Sequence, residues 1–271
     1  MRMLEGKVAI ITGSGRGVGR AAAEMFAEHG AAVVINDLDE GPATEVVSAI
    51  KEKGGQAIAV VGSVTDPGFP KRVFEEAVGA FGRVDILVNN AGYTWDSLIH
   101  KMTDEQFQAM LDVHLIAPFR LIREATPYFV GAAKEEAEQG QTPSVRKIIN
   151  VSSVSGVMGN VGQANYSSAK AGVIGLTKAV AREWGQFNIN CNAVAFGLID
   201  TRLTQAKEKG ENIDGIALGI PEKVRQMIEM QIPQRRAGTP EEAAGAIFYL
   251  ASPLSNYVNG HVLNITGGSY T

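Results

Sequence analysis

Short apolar runs alternate with amphipathic stretches from one end of this chain to the other. Seven runs rich in Val, Ile and Ala read as buried strands, at residues 7–12, 32–37, 56–61, 84–89, 147–152, 189–195 and 261–265. The first of them is apolar and β-branched almost throughout residues 8–12, as expected of a strand covered on both faces. Between them lie helical patterns at 17–29, 42–53, 70–81, 103–133, 164–184 and 240–250. Strand, helix, strand repeated in this way predicts an α/β fold, with a doubly wound parallel sheet and helices on both faces. In such a sheet ligands bind beyond the carboxyl ends of the strands. Asn90, Ser153 and Gly197 each stand just past a predicted strand end, so they are expected at one rim.

Two segments break the rhythm. Residues 134–146, KEEAEQGQTPSVR, form a charged insertion that reads as a solvated helix end and loop. The longer one, 198–238, mixes glycines and charges with Leu203, Ile213, Ile216, Leu218, Ile220, Met227 and Met230. Nothing else divides the chain, and residues 1–271 are expected to form one domain.

The first strand runs through Thr12 into Gly13-Ser14-Gly15-Arg16-Gly17-Val18-Gly19 and then into a helix. Strand, glycine-rich turn and helix form a phosphate-cradling unit of the Rossmann type, in which backbone approaches a pyrophosphate at a helix N-terminus. The next strand ends at Asn36-Asp37-Leu38, where an acidic side chain accepts hydrogen bonds from an adenosine ribose.

A second cluster lies further on. Tyr166 and Lys170 are four residues apart on a predicted helix, so both point to one side of it, and Ser153 precedes Tyr166 by thirteen residues. A phenol near an ammonium is a plausible proton donor and acceptor, because the cation favours the phenolate. Ser153 would hold a substrate oxygen while Tyr166 moves the proton.

Taken in order, Thr12-Gly13-x-x-x-Gly17-x-Gly19, Asn89-Asn90-Ala91-Gly92, Ser153, Tyr166-x-x-x-Lys170 and Asn192-Ala-Val-Ala-Phe-Gly197 with Thr201 resemble the short-chain dehydrogenases/reductases over nearly the whole chain. The resemblance implies a nicotinamide-dependent oxidoreductase acting on a secondary alcohol or ketone. It implies Tyr166 as acid/base, Lys170 as its pKa-lowering partner and ribose ligand, and Ser153 as the group that orients the substrate oxygen. Gly13, Ser14, Arg16, Gly17, Val18, Gly19, Asp37, Leu38, Ser63, Val64, Asn90, Ala91, Gly92, Gly197, Ile199 and Thr201 would line the cofactor. Residues 198–238 match the family's substrate lid, which typically holds two short helices, and 154–163 its substrate wall.

The chain departs from the family pattern in three places. His114 stands where most members carry an asparagine that supports a proton relay; it reads equally as a relay residue or a core histidine. Phe196 replaces a proline before Gly197, and Ser63 replaces an aspartate beside the adenine. Asp37 would repel a 2′-phosphate, which favours NAD over NADP, although an arginine at position 16 pairs with that phosphate in some relatives.

The subgroup in closest likeness comprises 3-oxoacyl-acyl-carrier-protein reductases and 3-hydroxyacyl-CoA dehydrogenases. Ala133 and Phe187 occupy positions where carrier-protein enzymes tend to have arginines, which points to a coenzyme A thioester or a free small molecule. Another secondary alcohol (cyclic alcohol, sterol or polyol) is the alternative substrate, and a non-enzymatic dinucleotide sensor the remote one. The family likeness also implies a homotetramer.

Bulk properties narrow the picture further. With 45% hydrophobic and 20% charged residues, a net charge of −4 and a pI near 5.7, the chain suits a soluble globule and not a nucleic-acid binder. No apolar run is long enough for a membrane span. The first strand lies so near Met1 that no signal peptide is expected, and no metal site is expected either. Cys191 is the sole cysteine, so no internal disulfide forms, and a cytoplasmic location is expected.

Overall fold

A computed structural model describes residues 2–210, 212–213 and 216–270. Seven parallel strands among these residues make one sheet: β1 (Val8–Ile11), β2 (Ala32–Ile35), β3 (Gln56–Ala59), β4 (Ile86–Asn89), β5 (Arg146–Ser153), β6 (Ile189–Phe196) and a last strand, Val262–Ile265. The spatial order is β3-β2-β1-β4-β5-β6 and then Val262–Ile265. The chain winds outward from β1 to β3 and returns to place β4 on the other side of β1. That reversal opens a crevice beyond the carboxyl ends of β1 and β4.

The pleat distributes each strand between two cores. Ala9 and Ile11 of β1 face one layer, with Phe26 of α1 (Gly17–Glu28), Val46 and Ile50 of α2 (Glu40–Glu52), and Ile247 and Leu250 of a late helix, Pro240–Ala251. Ile10 faces the other, with Phe69, Val73 and Phe74 of α3 (Phe69–Phe81) and Met110 of α4 (Asp104–Leu111). Period-two alternation with both faces covered explains why β1 reads as an unbroken apolar run.

The predicted helix at 103–133 is interrupted. Two wider, π-type turns, Asp112–Ile116 and Pro127–Gly131, separate α4, α5 (Ala117–Glu124) and α6 (Ala132–Glu138). Proline accounts for the loosened ladder: Pro118 and Pro127 have no N–H to give the carbonyls of His114 and Arg123. The Thr126 hydroxyl takes over the Arg123 carbonyl at 2.6 Å. The first wide turn carries His114, and such turns often occur at functional sites.

The insertion is more ordered than its charge pattern suggests. α6 extends the helix through Glu138, and Glu136 clamps Arg146, the first residue of β5, through 2.8 and 3.2 Å hydrogen bonds. The Arg146 side chain is 4% exposed, and its guanidinium holds the Glu136 carboxyl down at about 2.

Two further helices follow β5: α7 (Val154–Met158) and the long α8 (Ala164–Trp184). Among its described residues, segment 198–238 holds two short helical pieces, a single 3-10 turn at Lys207–Lys209 and an α-helix, α9 (Glu222–Gln231). It also holds a short antiparallel pair, β7 (Asn212–Ile213) with β8 (Ile216–Ala217). Residues 211, 214 and 215 and the side chain of Ile213 lie outside the described residues, as do Met1 and Thr271.

Candidate active site

The glycine loop is fixed from below by its neighbours. Thr12 Oγ1 accepts from the backbone N–H groups of Asn90 and Ala91, both at 3.0 Å, and Asn90 Nδ2 donates to the carbonyls of Thr12 and Gly13. The loops after β1 and β4 are thus tied into one floor. Gly13 has φ +62°, and a Cβ there would lie 2.7 Å from Ala91 Cα, so only glycine fits. At Gly19 a Cβ would strike the Gly13 carbonyl and lie 2.9 Å from Ser14 Cα. Ser14 is buried, its hydroxyl donating to the Ile11 carbonyl at 2.7 Å. This is the cradle a pyrophosphate requires, and it fits a dinucleotide.

Asp37 sits beside that cradle. Its Oδ2 accepts from Gly15 N at 3.0 Å and its Oδ1 from Asp39 N at 3.3 Å. Leu38 is exposed at 54%, while Val18 is half-buried against the core. Arg16 does not stand free: its Nη2 pairs with Asp39 Oδ2 at 3.5 Å. Ser63 closes its own turn, sharing a 2.7 Å hydrogen bond with Thr65 Oγ1, and Val64 is buried beneath it. Thr201 arches back over the loop, its Cγ2 lying 3.5 Å from a Cβ built on Gly17. Thr204 holds this arch, its hydroxyl bonding the Ile199 carbonyl and accepting from Thr201 N at 3.1 Å. Gly197 follows β6 against Thr266, where a Cβ would lie 3.1 Å from Thr266 Cα, and Phe196 before it is buried.

Across the crevice, Ser153 ends β5 and Tyr166 and Lys170 share a face of α8. The Tyr166 phenol lies near enough to the Ser153 hydroxyl to feel it, while Ser153 Oγ itself donates to the Phe196 carbonyl at 3.4 Å. Ser153 Oγ also accepts from Ser155 N at 3.1 Å, which caps α7 and fixes its direction. Ser152 turns away, donating to the Lys170 carbonyl at 2.9 Å, so the two serines separate as the spacing predicts. Lys170 Nζ donates to the Val151 carbonyl at 2.6 Å and lies 5.5 Å from the centre of the Tyr166 ring.

The expected lowering of the phenol by Lys170 does not appear in this arrangement. Burial pushes Tyr166 up to about 12, only partly offset by the Ser153 hydroxyl, and a nearby Asp96 carboxylate adds to the rise. Burial also pulls Lys170 down to about 7. Both charged forms lose their hydration here, and the ammonium lies over the ring face rather than against the phenol oxygen.

His114 is 3% exposed and meets Tyr166 edge-to-face, with ring centres 4.9 Å apart. Its Nε2 lies 2.7 Å from the Tyr93 carbonyl, which can only accept, so Nε2 carries the proton. Burial, with the Lys170 charge adding to it, holds the imidazole well below its usual range, so it is neutral. Nδ1 is then a buried acceptor without a protein partner. His114 makes no polar contact with Tyr166 among the described hydrogen bonds.

Asp96 is the site residue that sequence reasoning missed. Its Oδ2 accepts from Gln163 Nε2 at 2.9 Å, and burial raises its carboxyl despite the pull of that bond and of Lys207. Gln163 Oε1 accepts in turn from Ser155 Oγ at 2.9 Å. An acid in a loop carries no local signature; only its distance from Gln163 in the fold gives it a role.

Comparison with known proteins agrees with this geometry. The family model described as enoyl-(acyl carrier protein) reductase matches residues 13–270. A 3-oxoacyl-[acyl-carrier-protein] reductase FabG of Thermotoga maritima is 40% identical over 265 residues, covering 98% of each chain. Those of Vibrio cholerae and Escherichia coli are 40% and 38% identical, again over 98% of each chain. Among the described residues no helix is long and apolar enough to cross a membrane. The seven-stranded parallel sheet, the glycine cradle and full-length relatives at this identity lead to one conclusion: the chain belongs to the short-chain dehydrogenase/reductase family and is an oxidoreductase of the keto/hydroxyl type.

Proposed function

We propose that this enzyme interconverts a 3-oxoacyl and a 3-hydroxyacyl thioester, with NAD(H) as cofactor and coenzyme A as the carrier of the acyl group. The observation that carries the chemistry is the convergence of Ser153, at the end of β5, with Tyr166 and Lys170, one turn apart on one face of α8. When bound, the nicotinamide cofactor supplies or accepts the hydride. The chain's own residues manage the oxygen. Ser153 Oγ and Tyr166 Oη hold it from two sides, and a phenol raised by burial keeps its proton until negative charge develops on that oxygen. This arrangement supports the reducing direction. Lys170 orients the ribose, and His114 acts as a positioning residue whose neutral ring packs Tyr166 in place.

Asp37 supports NAD. Its carboxylate occupies the rim where a 2′-phosphate would approach, and Asp39 both adds a second carboxylate and engages Arg16. Coenzyme A is supported over an acidic carrier protein by the neighbourhood of Ala133 and Phe187. Ala133 is buried, and Phe187 lies under Lys134, in a stretch that also carries Glu135, Glu136 and Glu138. Segment 198–238 serves as the lid on a single catalytic domain spanning the chain. A homotetramer is supported by Ala171 and Gly175, which remain exposed on α8, whereas Ala169 and Gly172 are used within the subunit. The lone buried Cys191 fits a reducing cytoplasm.

The experiment is a substrate survey. Oxidation of NADH is followed with acetoacetyl-CoA, the same acyl group on carrier protein, a cyclic ketone, a steroid ketone and a ketose. Preferred turnover of the coenzyme A thioester is expected; preference for a non-thioester ketone would overturn the substrate assignment.

A further inference from the structure

The substrate reading proposed above leaves one part of the molecule unused. Two loops adjoin Ser153 and Tyr166 through hydrogen bonds, 93–102 after β4 and 159–163 between α7 and α8, and a substrate held there would leave between them. These loops are joined. Ser97 N donates to the Gly162 carbonyl at 2.8 Å, Gln163 Nε2 to Asp96 Oδ2 at 2.9 Å, and Asn165 Nδ2 to the Trp95 carbonyl at 3.0 Å. From Gln163 the network continues through Ser155 Oγ, and Ser155 N returns to Ser153 Oγ. The loop tips are therefore positioned by the same hydrogen bonds that position the catalytic serine.

On those tips, and at Met158 where α7 ends beside them, four large apolar side chains face water. Leu98 is 45% exposed, Ile99 72%, Met158 64% and Val161 85%. Leu98 and Ile99 follow Ser97 directly, and Val161 directly precedes Gly162, so three of the four flank one backbone hydrogen bond. In sequence Met158 and Val161 are bracketed by Ser153 and Tyr166. Single exposed apolar residues need no explanation, but a joined group at the outlet of a reaction site does. Next to the catalytic residues the walls are polar, formed by Asp96, Gln163 and Ser155; further out they are apolar. The order matches a substrate with a polar reacting head and a hydrocarbon tail.

We propose that Leu98, Ile99, Met158 and Val161 form a subsite for the acyl tail beyond the fourth carbon, and that the enzyme prefers medium-length chains over acetoacetyl. The subsite is shallow, so it covers a chain on one side only. Partial burial of four added methylenes is expected to raise kcat/KM by about tenfold.

The test measures kcat/KM with four-, six- and eight-carbon 3-oxoacyl-CoA thioesters in the wild type and in Ile99→Ser/Val161→Ser. Tyr257→Ser, at a fully exposed position outside these loops, serves as the surface control. The eight-to-four-carbon ratio is expected to be about ten in the wild type and the control. In the double variant it should fall towards one, through KM rather than kcat. Turnover of acetoacetyl-CoA with a flat chain-length profile, or a ratio unchanged in the double variant, would overturn the subsite alone. A double variant that alters the sedimentation coefficient while keeping the ratio would assign the patch to contact between copies and equally overturn it. Failure to turn over any thioester would overturn the thioester reading, and the subsite with it.

Discussion

Gly92 and His114 occupy one space. A Cβ built on Gly92 would collide with Cε1 of the imidazole and lie 2.7 Å from its Nδ1, so the histidine fits only because residue 92 has no side chain. The ring cannot retreat easily, being 3% exposed, bonded to Tyr93 and packed on Tyr166. Gly92→Ala is expected to destabilise the fold by roughly 2 kcal/mol, as overpacking does. His114→Ala should remove most of that penalty. Denaturant unfolding of the two single variants and the double variant would read the coupling. Additive losses would show that the two positions do not compete.

Asp96 works against the phenolate of Tyr166. A carboxylate near the phenol raises it, so Asp96→Asn, which keeps a hydrogen-bonding partner for Gln163, should lower it. In the alcohol-oxidising direction the rate rises with pH as Tyr166 deprotonates. That limb is expected to move to lower pH in the variant, and an unshifted profile would separate Asp96 from the catalytic proton.

Asp37 is the expected arbiter of cofactor choice. Asp37→Ser removes the charge next to the ribose and frees Gly15 N from its carboxylate. The NADH-to-NADPH ratio of kcat/KM should fall by about tenfold to a hundredfold, the range of one to two lost charge contacts. Arg16 is then available to a 2′-phosphate only if it leaves Asp39, so Asp37→Ser/Asp39→Ser should shift the ratio further. Independence of the ratio from both positions would contradict this account.

How much of this was legible in the chain depended on locality. The seven strands, the glycine cradle and the Tyr166–Lys170 face of α8 follow from runs, turns and four-residue spacing, all of which are local. The break at Asp112–Ile116 is hidden in the sequence because the helical pattern runs on through Pro118, whose missing donor to His114 shows only in the ladder. The short strands and turns of segment 198–238 were not legible because they depend on pairing such as Gln205 O with Ile220 N at 2.9 Å, which no periodic pattern encodes. The direction in which the phenol shifts is not legible for a different reason. Spacing puts Lys170 near Tyr166, but only the three-dimensional fold reveals that Lys170 is buried and Tyr166 partly so.

The clamp between Glu136 and Arg146 makes acid stability a test of the insertion. The Glu136 carboxyl lies at about 2 in the folded chain, below its ordinary 4.5. Its contribution is therefore complete above pH 4.5 and is lost as the pH falls towards 2. Glu136→Gln should cost roughly 2 kcal/mol at neutral pH, because it leaves a buried guanidinium without its charge partner. The gap between wild type and variant should narrow on acidification. Chemical denaturation at several pH values measures this, and a gap that stays constant would exclude the clamp as its source.

The most direct measurement of the central claim follows nicotinamide absorbance with acetoacetyl-CoA and NADH or NADPH, in the wild type and in Tyr166→Phe. The account predicts turnover with NADH that falls by about a thousandfold or more in the variant, the scale of a lost general acid, with cofactor binding retained. Undiminished turnover in Tyr166→Phe would contradict the assignment of the proton to Tyr166, and a clear preference for NADPH would contradict the role given to Asp37.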